Sequence, residues 1–178
     1  MVHSHHPFLL GDTALRVAAS REVPIDLTTG YCNLCDAVIA PSKSVKDLLL
    51  RRGITVPVTV IPTGVDPKVF EGADGSAYRR AAGIPESAFV VGHAGRLAPE
   101  KNVDFLADAV AGFVERHAGG RFLLVGEGAS RERILAAFAG RGLTERVHLG
   151  GVLQGNDLAS SYNAMDVFAF ASLTETQE

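Results

Sequence analysis

The chain has 178 residues, 47% of them apolar and 21% charged, with a formal net charge of -3. This composition is typical of a globular protein with one domain, or one domain and part of another. The negative total excludes broad electrostatic binding to nucleic acid or to an anionic membrane. No apolar run reaches the roughly 18 to 20 residues of a membrane span, and the N-terminal residues lack a secretory signal pattern. Two cysteines do not make a disulfide framework, so we expect a cytoplasmic location.

Short apolar strands alternate with longer helical stretches, which predicts parallel α/β sheets. In the first part of the chain, strands are predicted at 37–40 and 58–61. The helix between them is predicted over 45–52, with Ser42 or Ser44 as its N-terminal cap. Residues 70–86 are polar, contain glycine and lack a strong period, so we interpret them as a linker with one helix.

A second series of strands is predicted to begin at 88–92. The helix predicted over 102–117 has one buried stripe, because its apolar residues recur at helical spacing. Its stripe consists of Val103, Leu106, Val110 and Phe113. Further strands are predicted at 122–125, 147–149 and 167–170, and further helices over 131–141 and up to Asn163, the latter capped by Asn156 or Asp157.

The stretch 90–102 is the most informative part of the chain. An apolar strand leads into Gly95, then into Arg96 and Lys101, and then into an amphipathic helix. Glycine lets a backbone approach a bulky anion, and a helix start offers free N–H groups and the positive end of a dipole. Cations at a helix start are unfavourable unless an anion is present, so the pattern predicts a diphosphate site. The alternative is a dinucleotide fold, but 92–97 lacks the third glycine of G-x-G-x-x-G.

Two other patterns are typical of metal or redox sites. His3 and His5 share one face of a predicted strand, but no third ligand has convincing spacing. Cys32 and Cys35 have C-x-x-C spacing, but a second pair is absent and the motif precedes a strand rather than a helix. We therefore expect no metal site and interpret Cys35 as a packed residue.

Several short motifs occur together over most of the chain. Each is weak alone, and their combination and order are specific. They are residues 35–42 (CDAVIAPS), 60–66 (VIPTGVD), 95–102 (GRLAPEKN), 124–128 (LVGEG), 164–168 (AMDVF), 172 and 174–176. Together they resemble the retaining glycosyltransferases of family 4, which have two Rossmann-like domains in the GT-B arrangement.

The resemblance implies an α/β fold of the GT-B type, with Rossmann-like parallel sheets and flanking helices. It implies a partial acceptor-side domain over 1–65 and a nucleotide-sugar-binding domain over 66–178. In this family the second domain holds a nucleotide diphosphate-sugar such as a UDP-sugar or a GDP-sugar. The sugar then moves to an acceptor hydroxyl, here of a lipid or another sugar, with retention of configuration.

The resemblance also implies roles for particular residues. Glu175 matches the first of two family glutamates and would lie beside the donor sugar as the catalytic residue. Arg96 and Lys101 would bind the donor diphosphate, and Val152 and Leu153 would lie in the loop whose backbone reads the base. The full donor-binding set that the resemblance implies is Gly95, Arg96, Lys101, Glu127, Val152, Leu153 and Gly64.

The chain departs from the family pattern in two places. The second glutamate would fall beyond Glu178, and the family strand that 24–29 matches is followed here by Gly30 instead of histidine. Two hypotheses therefore stay open, a glycosyltransferase and a catalytically inactive fragment that acts as a nucleotide-sugar-binding or structural module. Neither includes a cofactor or metal, because the two cations can neutralise the leaving diphosphate. Peripheral membrane contact and an oligomer are left open.

Overall fold

The structure, a computed structural model, describes residues 26–172. The described residues form two compact units, 26–64 (the first unit) and 65–172 (the second unit). None of the helices within 26–172 is long and apolar enough to cross a membrane.

The first unit contains a two-stranded parallel sheet, in which Val38 pairs with Val58. Ser42 caps α2, since its Oγ accepts a hydrogen bond from the backbone N–H of Val45 at 3.3 Å. This confirms one of the two caps predicted for this helix. The elements are α1 (Asp26–Asn33), β1 (Val38–Ala40), α2 (Lys43–Arg51) and β2 (Val58–Val60).

Helix α1 was not expected, because the resemblance implied a strand over 24–29. For residues 26–29 that expectation was wrong. The side chain of Asn33 donates to the carbonyl of Gly53 at 3.0 Å and accepts from the N–H of Thr55 at 2.8 Å. Hydrogen bonds to residues about twenty positions away therefore help to hold the end of this helix. The local sequence pattern of 24–29 cannot predict such bonds.

The second unit contains a four-stranded parallel sheet with the order β5-β4-β3-β6. Its strands are β3 (Phe89–Ala94), β4 (Gly120–Val125), β5 (Val147–Gly151) and β6 (Val167–Phe168). Its helices are α3 (Lys68–Glu71), α4 (Gly75–Ala81), α5 (Val103–Arg116), α6 (Arg131–Ala139) and α7 (Gly155–Asn163), and 3-10 turns lie at Pro99–Lys101 and Thr144–Arg146.

Helices cover both faces of this sheet, so the central strands β3 and β4 consist mostly of apolar residues. On one face, Phe122 and Leu124 of β4 pack with the buried stripe of α5 and with α6. On the other face, Leu123 and Val125 pack in a separate cluster with Ile84. Successive side chains of a strand point to opposite faces, which explains why the continuous run 122–125 is entirely buried.

The stripe predicted for α5 is confirmed, since Val103, Leu106 and Val110 are buried and Phe113 is half-buried against the same cluster. The cap predicted for α7 was wrong. Asn156 and Asp157 lie inside the first turn of α7, and Gln154 occupies the cap position. The helix begins earlier than expected, at Gly155, which has a φ of +53°.

The helix predicted within 70–86 is confirmed as α4. The interpretation of the stretch as a linker was wrong, because Ile84 is buried in the core of the second unit. The guanidinium of Arg79 donates to the carbonyl of Ala164 at 2.8 Å and forms an ion pair with Asp166 at 2.8 Å. Contacts with residues more than eighty positions away therefore fix a segment whose own sequence has little periodicity.

Candidate functional site

The loops after β3, β4 and β5 meet at the carboxyl edge of the second unit's sheet. The N–H of Gly95 donates to Val125 O at 3.0 Å, and the N–H of Gly126 donates to Gly151 O at 2.7 Å. The N–H of Leu97 donates to Glu127 O at 3.0 Å. These bonds join the loops into one backbone surface, in the place where open parallel sheets bind ligands.

The glycines of the β4 loop are explained by contacts between the loops. Gly126 has φ +121°, and a side chain there would overlap the carbonyl oxygen of Gly95. A side chain on Gly128 would likewise overlap the carbonyl of Leu97. Gly95 differs, because a side chain there would meet only the ring of His93 and no backbone atom of another loop. Gly95 is thus the exposed glycine of this group whose side-chain position is not filled by a neighbouring carbonyl.

Arg96 and Lys101 both lie in the turn that connects β3 to α5. The guanidinium of Arg96 is exposed. The ammonium of Lys101 lies 6.0 Å from the centre of the Phe170 ring, within the range of a cation–π contact. The buried side chains of Leu97 and Val103 anchor the backbone of this turn against the core.

Helix α5 begins directly after this turn. Asn102, at φ +51° and ψ 36°, changes the direction of the chain and makes no side-chain cap bond to the helix in the described structure. A helix that follows a parallel strand starts at the strand's carboxyl end, so the positive end of its dipole lies at the same edge as the two cations.

An acidic residue that sequence reasoning missed lies in the same turn. Oε1 of Glu100 is 2.9 Å from Nη2 of Arg96, four positions away. Opposite charges at this spacing are a recognisable signal, but they are too common on protein surfaces to identify a site. The turn thus combines two cations with one carboxylate.

His93 is the second residue that sequence reasoning missed. It is 1% exposed at the end of β3, and its ring stacks on Phe168 and Phe170 with centroid separations of 6.2 Å. Nδ1 lies 3.0 Å from the carbonyl oxygen of Ala169, which can only accept, so Nδ1 carries the proton. Nε2 is buried and has no hydrogen-bond partner among the described residues.

Burial lowers the pKa of His93, and the charge of Lys101 lowers it further, against the opposing effect of the bond to Ala169. A β-carbon on Gly95 would lie 3.6 Å from His93 Nε2. The neutral imidazole therefore lies directly under the exposed glycine of the loop. A histidine within an apolar run was the available signal, and it was weak.

The other predicted donor-binding residues of the second unit follow β4 and β5. The carboxylate of Glu127 is 3.7 Å from Nε of Arg131, so an ion partner already faces it. Val152 is exposed, whereas Leu153 packs against the core that includes Val125. The structure thus brings Gly95, Arg96, Lys101, Glu127, Val152 and Leu153 to loops at one edge of one sheet.

For two further predicted residues the assignment to the donor site stays a prediction. Gly64 is exposed and belongs to the first unit. Glu175 lies outside the described residues, as do His3 and His5. Within 26–172 no group of three or more histidine, cysteine, aspartate or glutamate side chains is placed to hold a metal ion. Burial raises the pKa of the half-buried Cys32, and a charge on Cys35 acts in the same direction, which does not favour a reactive thiol.

Comparison with known proteins identifies the family. Residues 88–178 match the family model described as "Glycosyl transferases group 1", which is more than half of the chain. The chain belongs to this family. Residues 26–69 of the chain also match the model "Glycosyltransferase Family 4", so the resemblance found in the motifs is confirmed.

The curated relatives that the chain matches are much longer than the chain. It is 36% identical over 152 residues to the D-inositol 3-phosphate glycosyltransferase of Stackebrandtia nassauensis, covering 79% of this chain and 34% of the relative. It is 34% identical over 144 residues to the GDP-mannose-dependent alpha-mannosyltransferase of Mycobacterium tuberculosis, covering 80% of this chain and 35% of the relative. The chain thus spans about a third of the length of these relatives.

A solved structure agrees with the predicted fold class. The crystal structure of Anabaena HepE in complex with UDP and glucose matches at a TM-score of 0.71 and 25% identity, covering 84% of this chain and 42% of HepE. The α/β fold of the GT-B type, with parallel sheets and flanking helices, is therefore confirmed.

Proposed function

We propose that the second unit belongs to the nucleotide-sugar-binding domain predicted over 66–178, and that the whole protein is a retaining glycosyltransferase. In this proposal Arg96 and Lys101 bind the donor's diphosphate over the exposed backbone of Gly95. The observation that carries the proposal is the turn between β3 and α5, where two cations adjoin a helix N-terminus at the carboxyl edge of a parallel sheet.

The proposed chemistry follows from where charge develops. As the bond between sugar and phosphate breaks, negative charge grows on the leaving diphosphate. The guanidinium of Arg96, the ammonium of Lys101 and the dipole of α5 attract that charge more strongly in the transition state than in the ground state. The proposal needs no metal for this step, since these groups supply the positive charge. An acceptor hydroxyl then receives the sugar with retention of configuration.

The remaining assignments are part of the same proposal. Glu175 lies beside the sugar as the catalytic residue, and Glu127 and Gly64 border the donor site. The loop with Val152 and Leu153 contacts the base. HepE was solved with UDP and one relative is named for GDP-mannose, which supports a UDP-sugar or a GDP-sugar as donor. A lipid or sugar acceptor, cytoplasmic location, peripheral membrane contact and an oligomer complete the proposal.

Calorimetric titration of the chain with UDP, GDP and their sugars tests the donor assignment. A charge-assisted hydrogen bond to phosphate contributes about 1.5–3 kcal/mol, so Arg96→Ala should weaken binding roughly 10- to 100-fold. Lys101→Ala should also weaken it. Arg116→Ala is the matched control, because this exposed arginine lies at the C-terminal end of α5, away from the turn. The Arg116→Ala variant should bind UDP as tightly as the wild type.

The outcome decides between the two hypotheses that the sequence left open. Saturable binding that depends on Arg96 and Lys101 supports a donor-binding domain. No binding of any of these ligands at millimolar concentration refutes it and favours a structural module. Equal weakening in Arg96→Ala and Arg116→Ala would show that general charge, rather than this turn, attracts the nucleotide.

A further inference from the structure

The ion pair between Arg96 and Glu100 lies inside the proposed diphosphate site. Nη2 of Arg96 and Oε1 of Glu100 are 2.9 Å apart, with the arginine side chain 58% exposed and the glutamate side chain 24% exposed. Glu100 precedes Lys101 directly within the 3-10 turn. The carboxylate is therefore held close to the groups that would meet an anion.

The contacts of Arg96 differ from those of a structural arginine in the same unit. Arg79 donates to the carbonyls of Ala164 and Ala88 in addition to its ion pair with Asp166. For Arg96, the described structure gives Glu100 as the guanidinium's partner. A guanidinium has five N–H donors, so Arg96 retains donors on its exposed side.

The turn has an electrostatic reason to contain a carboxylate. Arg96 and Lys101 are like charges in one short turn, and the positive end of α5 adds to their repulsion. Glu100 reduces the excess charge of the three side chains from two to one. A bound diphosphate would do the same, and it would then be repelled by the carboxylate that it replaces.

Building on the proposed function, we propose that Glu100 is an internal counter-ion, which pairs with Arg96 whenever the donor's diphosphate is not bound there. Glu100 thereby stabilises the unliganded turn and lowers the affinity of the site for anions. Binding of the donor exchanges one anionic partner of Arg96 for another. Glu100 is a positioning residue in this scheme, since it acts through Arg96 and not on the reacting atoms.

The test is Glu100→Gln in the full chain, which keeps the shape of the side chain and removes its charge. Two quantities should move in opposite directions. The unfolding temperature without ligand should fall by about 1–3 °C, as expected for the loss of a partly exposed ion pair. The affinity for UDP, measured by calorimetry, should rise roughly 10-fold at low salt, and the gain should shrink as salt screens the charges.

The matched control is Glu115→Gln, which breaks an ion pair of 3.1 Å with Arg141 near the other end of α5. It should lower the unfolding temperature slightly and leave the affinity for UDP unchanged. A glutamate that only supports the fold, or only orients Arg96 for the ligand, would give equal or weaker binding in Glu100→Gln. Either result would refute the proposal that Glu100 is a counter-ion.

Failure of the proposed function has a different signature. If the wild type and Glu100→Gln bind neither UDP, GDP nor pyrophosphate, both proposals fall. Suppose instead that the wild type binds UDP, that Arg96→Ala weakens this binding and that Glu100→Gln does not strengthen it. Only the counter-ion proposal is then refuted. Glu100→Ala is the second variant, and loss of folding in both variants would also overturn the proposal, since an exposed ion pair contributes too little for that.

Discussion

Arg79 and Asp166 connect α4 to the start of β6 through an ion pair of 2.8 Å. The same carboxylate oxygen accepts the N–H of Val90 at 2.7 Å, and Nε of Arg79 donates to Ala164 O at 2.8 Å. The pair therefore fastens a helix, the first residues of the central strand β3 and the edge strand β6 to one another. Its members are 87 positions apart in the chain.

Replacing Arg79 with methionine should lower the free energy of unfolding by about 2 kcal/mol. The change removes the guanidinium's hydrogen bonds to one carboxylate and three carbonyls while retaining most of the apolar volume. The loss of unfolding free energy should not be larger, because the Asp166 side chain is 38% exposed and water can solvate it. Urea unfolding followed by circular dichroism measures the loss. Arg80→Met, at the exposed neighbouring position, should change stability by less than about 0.5 kcal/mol, and equal losses in both variants would contradict the role of Arg79.

Gly126→Ala should lower the free energy of unfolding by about 3 kcal/mol. The β-carbon would need to displace the carbonyl of Gly95, at a backbone φ of +121° that a side chain rarely adopts. Gly142→Ala is the control, because its φ is +69° but no atom lies within 4 Å of the added carbon. The control should lose only about 1 kcal/mol, the cost of the backbone conformation. Similar losses would mean that contact between the loops contributes little.

The stability of the second unit should fall as the pH drops below about 6.5. Burial lowers the pKa of His93, and it also lowers that of His148, so both lie below the ordinary value of 6.5 in the folded chain. The unfolded chain therefore takes up protons first, and the stability present above pH 6.5 is lost as the pH falls through the folded-state pKa values. Urea unfolding at several pH values measures this slope.

His93→Phe should make that slope shallower, and the remaining slope should belong largely to His148. The aromatic replacement keeps the ring contacts with Phe168 and Phe170 while removing the titrating nitrogen atoms. It also removes the bond to Ala169 O, so absolute stability falls at every pH. An unchanged slope would show that His93 does not contribute to the pH dependence.

Lys101→Met should raise the pKa of His93. The ammonium disfavours a second positive charge nearby, and it is the charged group that acts on His93 in the described structure. Nuclear magnetic resonance of the labelled imidazole, titrated in the wild type and the variant, measures the shift. Lys68→Met, on α3, is the control and should leave the titration of His93 unchanged. The same midpoint in all three proteins would contradict the coupling.

The order of the strands and helices in the second unit follows from the amino-acid sequence. The apolar run at 122–125 and the stripe of α5 are repeated local patterns, and such patterns survive in the folded chain because every residue contributes to the same buried face. The turn with Gly95, Arg96 and Lys101 was also visible, since its charge pattern and its position after a strand are local. The family motifs added the fold class and the assignment of this turn to a diphosphate.

Only the tertiary structure could show the contacts between residues that are far apart in the chain. The segment 70–86 was misread because Ala164 and Asp166 help to hold it in place. Gly126 and Gly128 are required because carbonyl groups of the loop after β3 lie where their side chains would be. The neutral state of His93 likewise depends on burial under Phe168 and Phe170. The pairing of Arg96 with Glu100 also depends on the tertiary structure. Their spacing in the sequence permits an ion pair, but the backbone path of the turn decides whether the two charges meet.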